Sequence, residues 1–529
     1  MKRSLTLTGV TVNAMALIAP GAFLWTTFQV QAAQTAGGKS TANMMWAGLL
    51  FALVLAFLTA YSYSELARIY PNAGAGSSYY FAEAALLDKD KAQHRKYARF
   101  MKLTVGWISH LYYWIYPGIM VAFGGILVSY IYTTLTGNTL GYGALAIVAV
   151  LFALLCGYIA YRGVSGSTNA AIAVNVIQIT TLVAFSIVVI IFRVSHPHLG
   201  HYMQSSPASI VLPTKFINVL YQSTIAILLL VGFESVTALG AEALRPEKDI
   251  RRGILLSLLI QGGICYLFEY FASNYAISTV TNPGSGAGAS HVAGGYAAAG
   301  ISGAPIGDMM LHIGNTMLGG TGKTLALIMA ATVLLALIGT TLACLNTGVR
   351  ITYVMGKDKE MPGILGLLHG KYATPHGGIW ILTILSAALG IYGVHNVDNL
   401  TQITLASNIG TFLVYGLSCF ICIVAFASHH DKHFGKHFVV PGLGILMNFA
   451  ELSGVVYLAI KAGGATSTDT FKAIAVVVAW CVAGIIWVAL NPRMRGSKVF
   501  AEPPPTEGKR YAPKEMAEPM PAAEIIPEA

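Results

Sequence analysis

The stretch with the most chemical content is Asn13 to Trp25, NAMALIAPGAFLW, inside the first long apolar run. Pro20 and Gly21 stand side by side in mid-run, about 3 and about 1 kcal/mol less favourable than Ala in a helix interior. Pro20 has no N–H and clashes with the carbonyl one turn earlier, so the carbonyls around Leu17 and Ile18 lose their helical partners. Bare carbonyls are ligands for a cation. Past Ala19 and Pro20, the amides of Gly21 and Ala22 open a new half-helix whose positive end favours an anion such as a carboxylate. One interrupted helix thus offers both poles of a zwitterion. The alternative is a plain kink packed against a neighbour, since Pro and Gly are commoner in membrane helices than in soluble ones.

A second interruption lies in INVLYQSTIAILLLVGFESVTALGAEALRP, with Gly232 in mid-run and Glu234 two residues on. Its first half ends in carbonyls from Leu228 to Val231, and its second half begins with the amides of Phe233 and Glu234. An intramembrane carboxylate is rare and usually faces a cavity or a partner, which makes Glu234 a functional candidate. Tyr113, in an aromatic stretch before Pro117, lies deep enough to face the same cavity, with packing as the alternative.

These residues need elements that hold them at the middle of a bilayer, and the composition supplies them. Of 529 residues, 55% are hydrophobic and only 10% charged. A soluble domain is nearer a quarter charged, so the class is an all-α polytopic membrane protein. Twelve apolar runs are long enough to span: 9 to 34, 43 to 66, 103 to 133, 142 to 161, 170 to 192, 217 to 241, 253 to 277, 324 to 349, 378 to 395, 400 to 427, 438 to 460 and 473 to 490. The interrupted runs are the first and sixth, inserted in opposite directions. That spacing predicts a five-plus-five inverted repeat, residues 9 to 192 and 217 to 427, with a midplane site; residues 438 to 490 add two helices.

With residues 1 to 8 inside, only Lys39, Arg193, Lys215, Lys323, Lys461 and Lys472 of the 32 basic residues fall on the outer side. Both termini are then expected in the cytoplasm, and the net charge of +10 reads as a topology signal, not as nucleic-acid binding. The first run follows Lys2 and Arg3 as in a signal peptide, but its length and its Pro-Gly interruption predict no cleavage. The cysteines, all in apolar runs, read as small core residues with no disulfide framework, and Cys419-x-x-Cys422 has no second pair to make a metal site.

Elsewhere the chain is less informative. Glu269 and Glu451 lie in apolar runs seven and eleven, the first without an assigned role and the second read as a packing group. The outer segment 278 to 323, rich in Gly, Ala and Ser, ends in an amphipathic piece suited to a lid. Within it GGTGKT lacks the first glycine and the preceding strand of a phosphate loop. His196, His198 and His201, and His429, His430, His433 and His437, read as solvated loop residues. The tail 491 to 529, Pro-rich and mixed in charge, is expected to be disordered.

Several stretches together resemble the amino acid–polyamine–organocation permeases. LIAPGAF resembles the glycine-rich break of their first helix, and YPNAGAGSSYYFAEA the loop after their second. GFESVTALGAEALRPEKDIRRGI resembles their sixth helix, and NTGVRITYVMGKDKEMPGILG with HGKYATPHGG their eighth helix and following loop. The resemblance runs from about residue 5 to 490 and implies a leucine-transporter-like fold and a secondary transporter of amino acids or related amines. It places the substrate carboxylate on the amides after the first break and its ammonium on the carbonyls of Leu17, Leu228 and Val231, with Tyr113 and Phe233 as aromatic gates. Ala19-Pro20-Gly21 departs from the Gly-Ser-Gly common in relatives, and Leu228 stands where a bulky aromatic gate is frequent. The coupling lysine of some proton-driven members is matched by Thr181, which disfavours that route. Glu234 remains for a proton, Thr340 and Thr341 for sodium, or exchange proceeds without an ion. No cofactor and no paired catalytic constellation is expected. A receptor that binds a zwitterion without moving it, and a transporter of another organic cation or nucleobase, are the rival readings.

Overall fold

In hydrocarbon every backbone N–H and C=O must be paired within its own element, which leaves helices as the outcome of these apolar runs. The computed structural model describes residues 5–18, 20–71, 76–87, 95–163, 168–196, 206–240, 243–276 and 295–500. Among them eleven helices are long and apolar enough to cross a membrane. The first run is not among the eleven because it is two pieces, α1 (Leu7–Leu17) and α2 (Pro20–Ala32). Then come α3 (Met45–Ile69), the short α4 (Ser78–Leu87), α5 (Ala98–Thr136), α6 (Tyr142–Arg162) and α7 (Thr168–Ser195).

The sixth run starts as α8 (Phe216–Ala226) and tightens to a 3₁₀ turn at Ile227–Leu229. It resumes past Gly232 as a second 3₁₀ stretch, Phe233–Leu239. The expected second half-helix is thus wound in the tighter i→i+3 form, whose poorer hydrogen bonds weaken the aligned dipole. The seventh run is α9 (Pro246–Ser257), a π-helix over Leu258–Tyr266, and α10 (Leu267–Ala276). After the short outer helix α11 (Pro305–Met317) come α12 (Gly322–Lys357), α13 (His376–Gly393), α14 (Val397–Phe426), α15 (Val440–Lys461) and α16 (Gly464–Leu490).

Burial sorts these helices. The most apolar window of Phe216–Thr237 is 83% buried, against 17% for Gly464–Leu490, so the interrupted sixth element is central and the last helix faces outward. The core beside it is unusually rich in tyrosine: Tyr63, Tyr112, Tyr116, Tyr266, Tyr270 and Tyr415 are all fully buried.

Two further expectations are revised. Residues 491 to 500 are ordered: Arg99 donates to the carbonyls of Arg493 and Lys498, and Phe500 stacks on Phe100. Burial of Met494 and Val499 against Leu103 holds this piece, which composition alone had assigned to a disordered tail. Several helices also overrun the apolar runs, and for α5 and α12 the polar ends pair with each other beyond the apolar zone. Lys102 lies 3.0 Å from Glu83 and 2.7 Å from Asp358. Residues 197–205, 277–294 and 501–529, with His198, His201, most of the Gly-rich outer segment and the distal tail, lie outside the described residues.

A candidate binding site at two broken helices

Leu17 ends α1, and Gly232 lies directly against it. Gly232 has φ +120, and a Cβ built on it would stand 2.5 Å from Leu17 Cβ. A residue with a side chain can neither adopt that backbone nor fit that space, so glycine is what lets the two interruptions touch. The two breaks read from the sequence are therefore one place in the molecule.

The peptide groups at this place are held by side chains. Tyr266 Oη donates to the Ile18 carbonyl at 2.6 Å, Thr340 Oγ1 to that of Ala16 at 3.1 Å, and Gln261 Nε2 to that of Met15 at 3.0 Å. On the other break, Tyr116 Oη donates to the Leu228 carbonyl at 3.0 Å, and Val231 N–H to the Ile227 carbonyl at 3.1 Å. At the start of α2, the Gly21 amide donates to Gln178 Oε1 at 3.3 Å. A neutral amide oxygen thus sits at the helix N-terminus that favours anions. Ala19 is not among the described residues; Pro20 and Ala22 lie in the first turn of α2.

Glu234 is wholly buried and fully engaged. Its Oε1 accepts from Tyr112 and Tyr113, both at 3.0 Å, and its Oε2 from Tyr415 at 2.9 Å and from the Gly232 amide at 3.0 Å. Those tyrosines come from α5 and α14. Phe233 completes the cluster with ring centroids 5.2 Å from Tyr415 and 6.0 Å from Tyr63 of α3. One carboxyl therefore joins three elements beside the break, and Phe233 adds α3 through Tyr63, a constellation that can open only by trading several hydrogen bonds at once.

Most of the residues expected at the site meet here: Leu17, Ile18, Gly21, Tyr113, Leu228, Gly232, Phe233, Glu234 and Thr340. Thr341 turns away, donating to Leu337 of its own helix at 2.6 Å. Thr181 is not the residue α7 presents to the first break. That role falls to Gln178, almost one turn earlier and fully buried, because the helix is rotated so that Asn175, Gln178 and Leu182 face inward. Gln178, Tyr266, Tyr116, Tyr112 and Tyr415 were not anticipated. Their one sequence signal is a hydrogen-bonding side chain inside an apolar run, which does not say what it reaches. His429, His430 and Asp431 lie within 4.8 Å of one another on an exposed or half-exposed turn, apart from this site.

Crossing helices with two of them interrupted at one central point, and peptide poles gathered there, define a multi-pass membrane transport protein of the broken-helix class. The chain belongs to the amino acid permease family, whose model matches residues 9–498. Among curated relatives, the branched-chain amino acid permease BcaP of Bacillus subtilis is 24% identical over 77% of this chain and 79% of its own length. The methylthioribose transporter of the same organism is 24% identical, covering 76% of each chain. The low-affinity putrescine importer PlaP of Escherichia coli is 24% identical over 78% of this chain and 79% of its own. A second BcaP, from Lactococcus lactis, is 26% identical over 47% of this chain, a match spanning about half of that relative's length (48%).

Proposed function

We propose that the protein carries a small organic substrate bearing an amino group, foremost an amino acid, across the cell membrane by alternating access, as symporter or exchanger. The observation that carries this reading is the contact of Gly232 with Leu17, which brings the poles of two broken helices to one point. Each pole is occupied by a group that a substrate can replace. An ammonium takes over from Tyr266 and Tyr116 at the carbonyls of Ile18 and Leu228; a carboxylate takes over from Gln178 at the Gly21 amide. Trading one hydrogen bond for another keeps these buried peptide groups satisfied throughout. The Glu234 cluster, with Tyr112, Tyr113 and Tyr415, then serves as the gate on one side of the site.

In this reading residues 9 to 192 and 217 to 427 are the inverted repeats, and both termini face the cytoplasm, where the basic residues concentrate. Thr340, which already donates to a carbonyl of α1, is the site's hydroxyl for a sodium ion if one is used. Relatives of equal identity named for a diamine and a thiosugar favour, as second reading, the same machine with a substrate other than an amino acid. Purified protein in liposomes, loaded in turn with leucine, other amino acids, putrescine and methylthioribose, should exchange at least one for its labelled form. Binding without counterflow would instead make it a receptor, and no exchange across the panel would sink the proposal.

A further inference from the structure

Among the described residues of the membrane-crossing elements, the carboxyl side chains of Glu234, Glu269 and Glu451 have no exposure at all (0%). Their surroundings differ. Glu234 receives four donors. Glu451, on α15, receives the Ser223 hydroxyl on one oxygen. Glu269, on α10, receives nothing: among the described residues neither of its oxygens has a hydrogen-bond partner. Ser273, one helical turn further on, and Asn274 beside it are buried with their side-chain polar atoms equally unpartnered.

Among the described residues no charge compensates Glu269. The titratable groups that feel it are Cys265, Tyr266 and Tyr270, all of the same helical run. The helices packed against α10 are α7, α3 and the short helix Ala208–Val211, which carries no titratable residue. On α7 the cation is Arg193, whose guanidinium lies over the Tyr275 ring at 5.2 Å. On α3 the charges are Glu65 and Arg68, paired with each other at 2.9 Å. An unpaired carboxylate in such a place costs several kcal/mol, so the neutral acid is the species this site holds. Leucine or glutamine would fill the space at lower cost. A carboxyl is needed only if its charge is to change.

A second observation links Glu269 to the substrate site. Three residues before it, Tyr266 caps the Ile18 carbonyl at 2.6 Å; one residue after it, the Tyr270 hydroxyl meets Gln31 Oε1 at 2.5 Å. The turn that carries Glu269 is thereby fastened to the end of α1 and to α2, on either side of the break. Immediately before α10 lies the nine-residue π-helix Leu258–Tyr266, a widened winding that recurs at functional sites.

We propose that Glu269 is the proton-coupling group of this transporter. It holds a proton in the conformation described, and releases it when a shift of α10 brings it to water. Through Tyr266 the same shift acts on the Ile18 carbonyl, so that the proton and the substrate ammonium leave to the same side. A proton from water on one side joins the carboxylate to form the acid, and the same proton leaves to water on the other side, one per cycle. This inference rests on the transporter reading above.

The test uses the full chain in liposomes with labelled leucine, and labelled putrescine in a parallel arm. Counterflow without gradients reports transport; accumulation driven by an imposed pH gradient, with a pH-sensitive dye, reports coupling. The wild type should accumulate label and take up protons with it. Glu269→Gln, which keeps the shape but has no proton to release, should lose at least tenfold of both while counterflow persists; Glu451→Gln should keep all three. Gradient-driven accumulation retained in Glu269→Gln, or wild-type accumulation without proton entry, overturns the proposal. Absence of counterflow in the wild type would strike the transporter reading instead. Infrared difference spectra of the purified proteins supply a transport-free readout. A carbonyl stretch of a buried protonated carboxyl should be present in the wild type and missing from Glu269→Gln, and its absence from the wild type overturns the assignment. If Glu269→Gln does not fold, Glu269→Asp should shift the pH profile of driven uptake, and an unchanged profile counts against it.

Discussion

Gln178 occupies the position at which the sequence predicts a substrate carboxylate. Its oxygen satisfies the Gly21 amide, which without it would be a buried donor lacking a partner, at a cost of about 1–3 kcal/mol. Gln178→Ala should therefore lower the melting temperature of the purified protein. A bound amino acid would relieve the orphaned amide, so the rise in melting temperature on adding leucine should be larger in the variant than in the wild type. A smaller rise would mean that Gln178 holds the substrate directly. Thr181 and Gln178 are both polar residues in one apolar run, and three residues separate them. Distinguishing them requires the rotation of α7 about its axis, which packing decides and composition does not encode. The same applies to Glu234: its presence in mid-membrane was legible, but its tyrosine partners from α5 and α14 were not, being more than a hundred residues away in the chain.

At the scale of elements, the contact between the two breaks depends on Gly232. Gly232→Ala adds a methyl 2.5 Å from Leu17 Cβ on a backbone with φ +120. Strain of about 1–3 kcal/mol for the backbone alone, with the clash in addition, should lower thermal stability and abolish exchange. Gly21→Ala should be milder, because its added carbon would meet Gln178 Oε1 and Val333 at 3.4 Å, an ordinary contact. The outer helix α11 carries a pH response. Asp308, in its first turn, is buried and accepts from Ser302 Oγ at 2.6 Å; burial pushes its carboxyl from 3.8 up to about 7. A carboxyl raised in the docked state contributes stability that is complete below about pH 4 and is lost as pH rises through about 7. Protease cleavage near α11 should accordingly increase across that window, and Asp308→Asn should flatten the profile.

For the molecule as a whole, the breaks are framed by a rigid polar end. Lys102 at the start of α5 holds Glu83 of α4 at 3.0 Å and Asp358 after α12 at 2.7 Å, all three nearly excluded from solvent. Removing one partner of a buried ion cluster leaves uncompensated charge, typically about 3–5 kcal/mol. Lys102→Met should lose its monodisperse profile in detergent at a lower temperature than the wild type, and Glu83→Gln, which leaves the Lys102–Asp358 pair, should suffer less. Arg99, which ties Glu360 to residues 491 to 500, extends this frame to the chain segment that composition had assigned to a free tail.

The helical, membrane-crossing class, the family and the positions of both interruptions were determined by the chain alone. Their causes are local: a run must pair its own backbone in lipid, and proline or glycine prevents that wherever it stands. Tertiary structure decided which donors cap each freed carbonyl, that Gln178 and not Thr181 faces the break, that Glu234 sits among tyrosines, and that Glu269 has no partner among the described residues. Those outcomes depend on the rotation and approach of helices distant in sequence. That geometry is set by the summed packing of many side chains, and no single motif carries it.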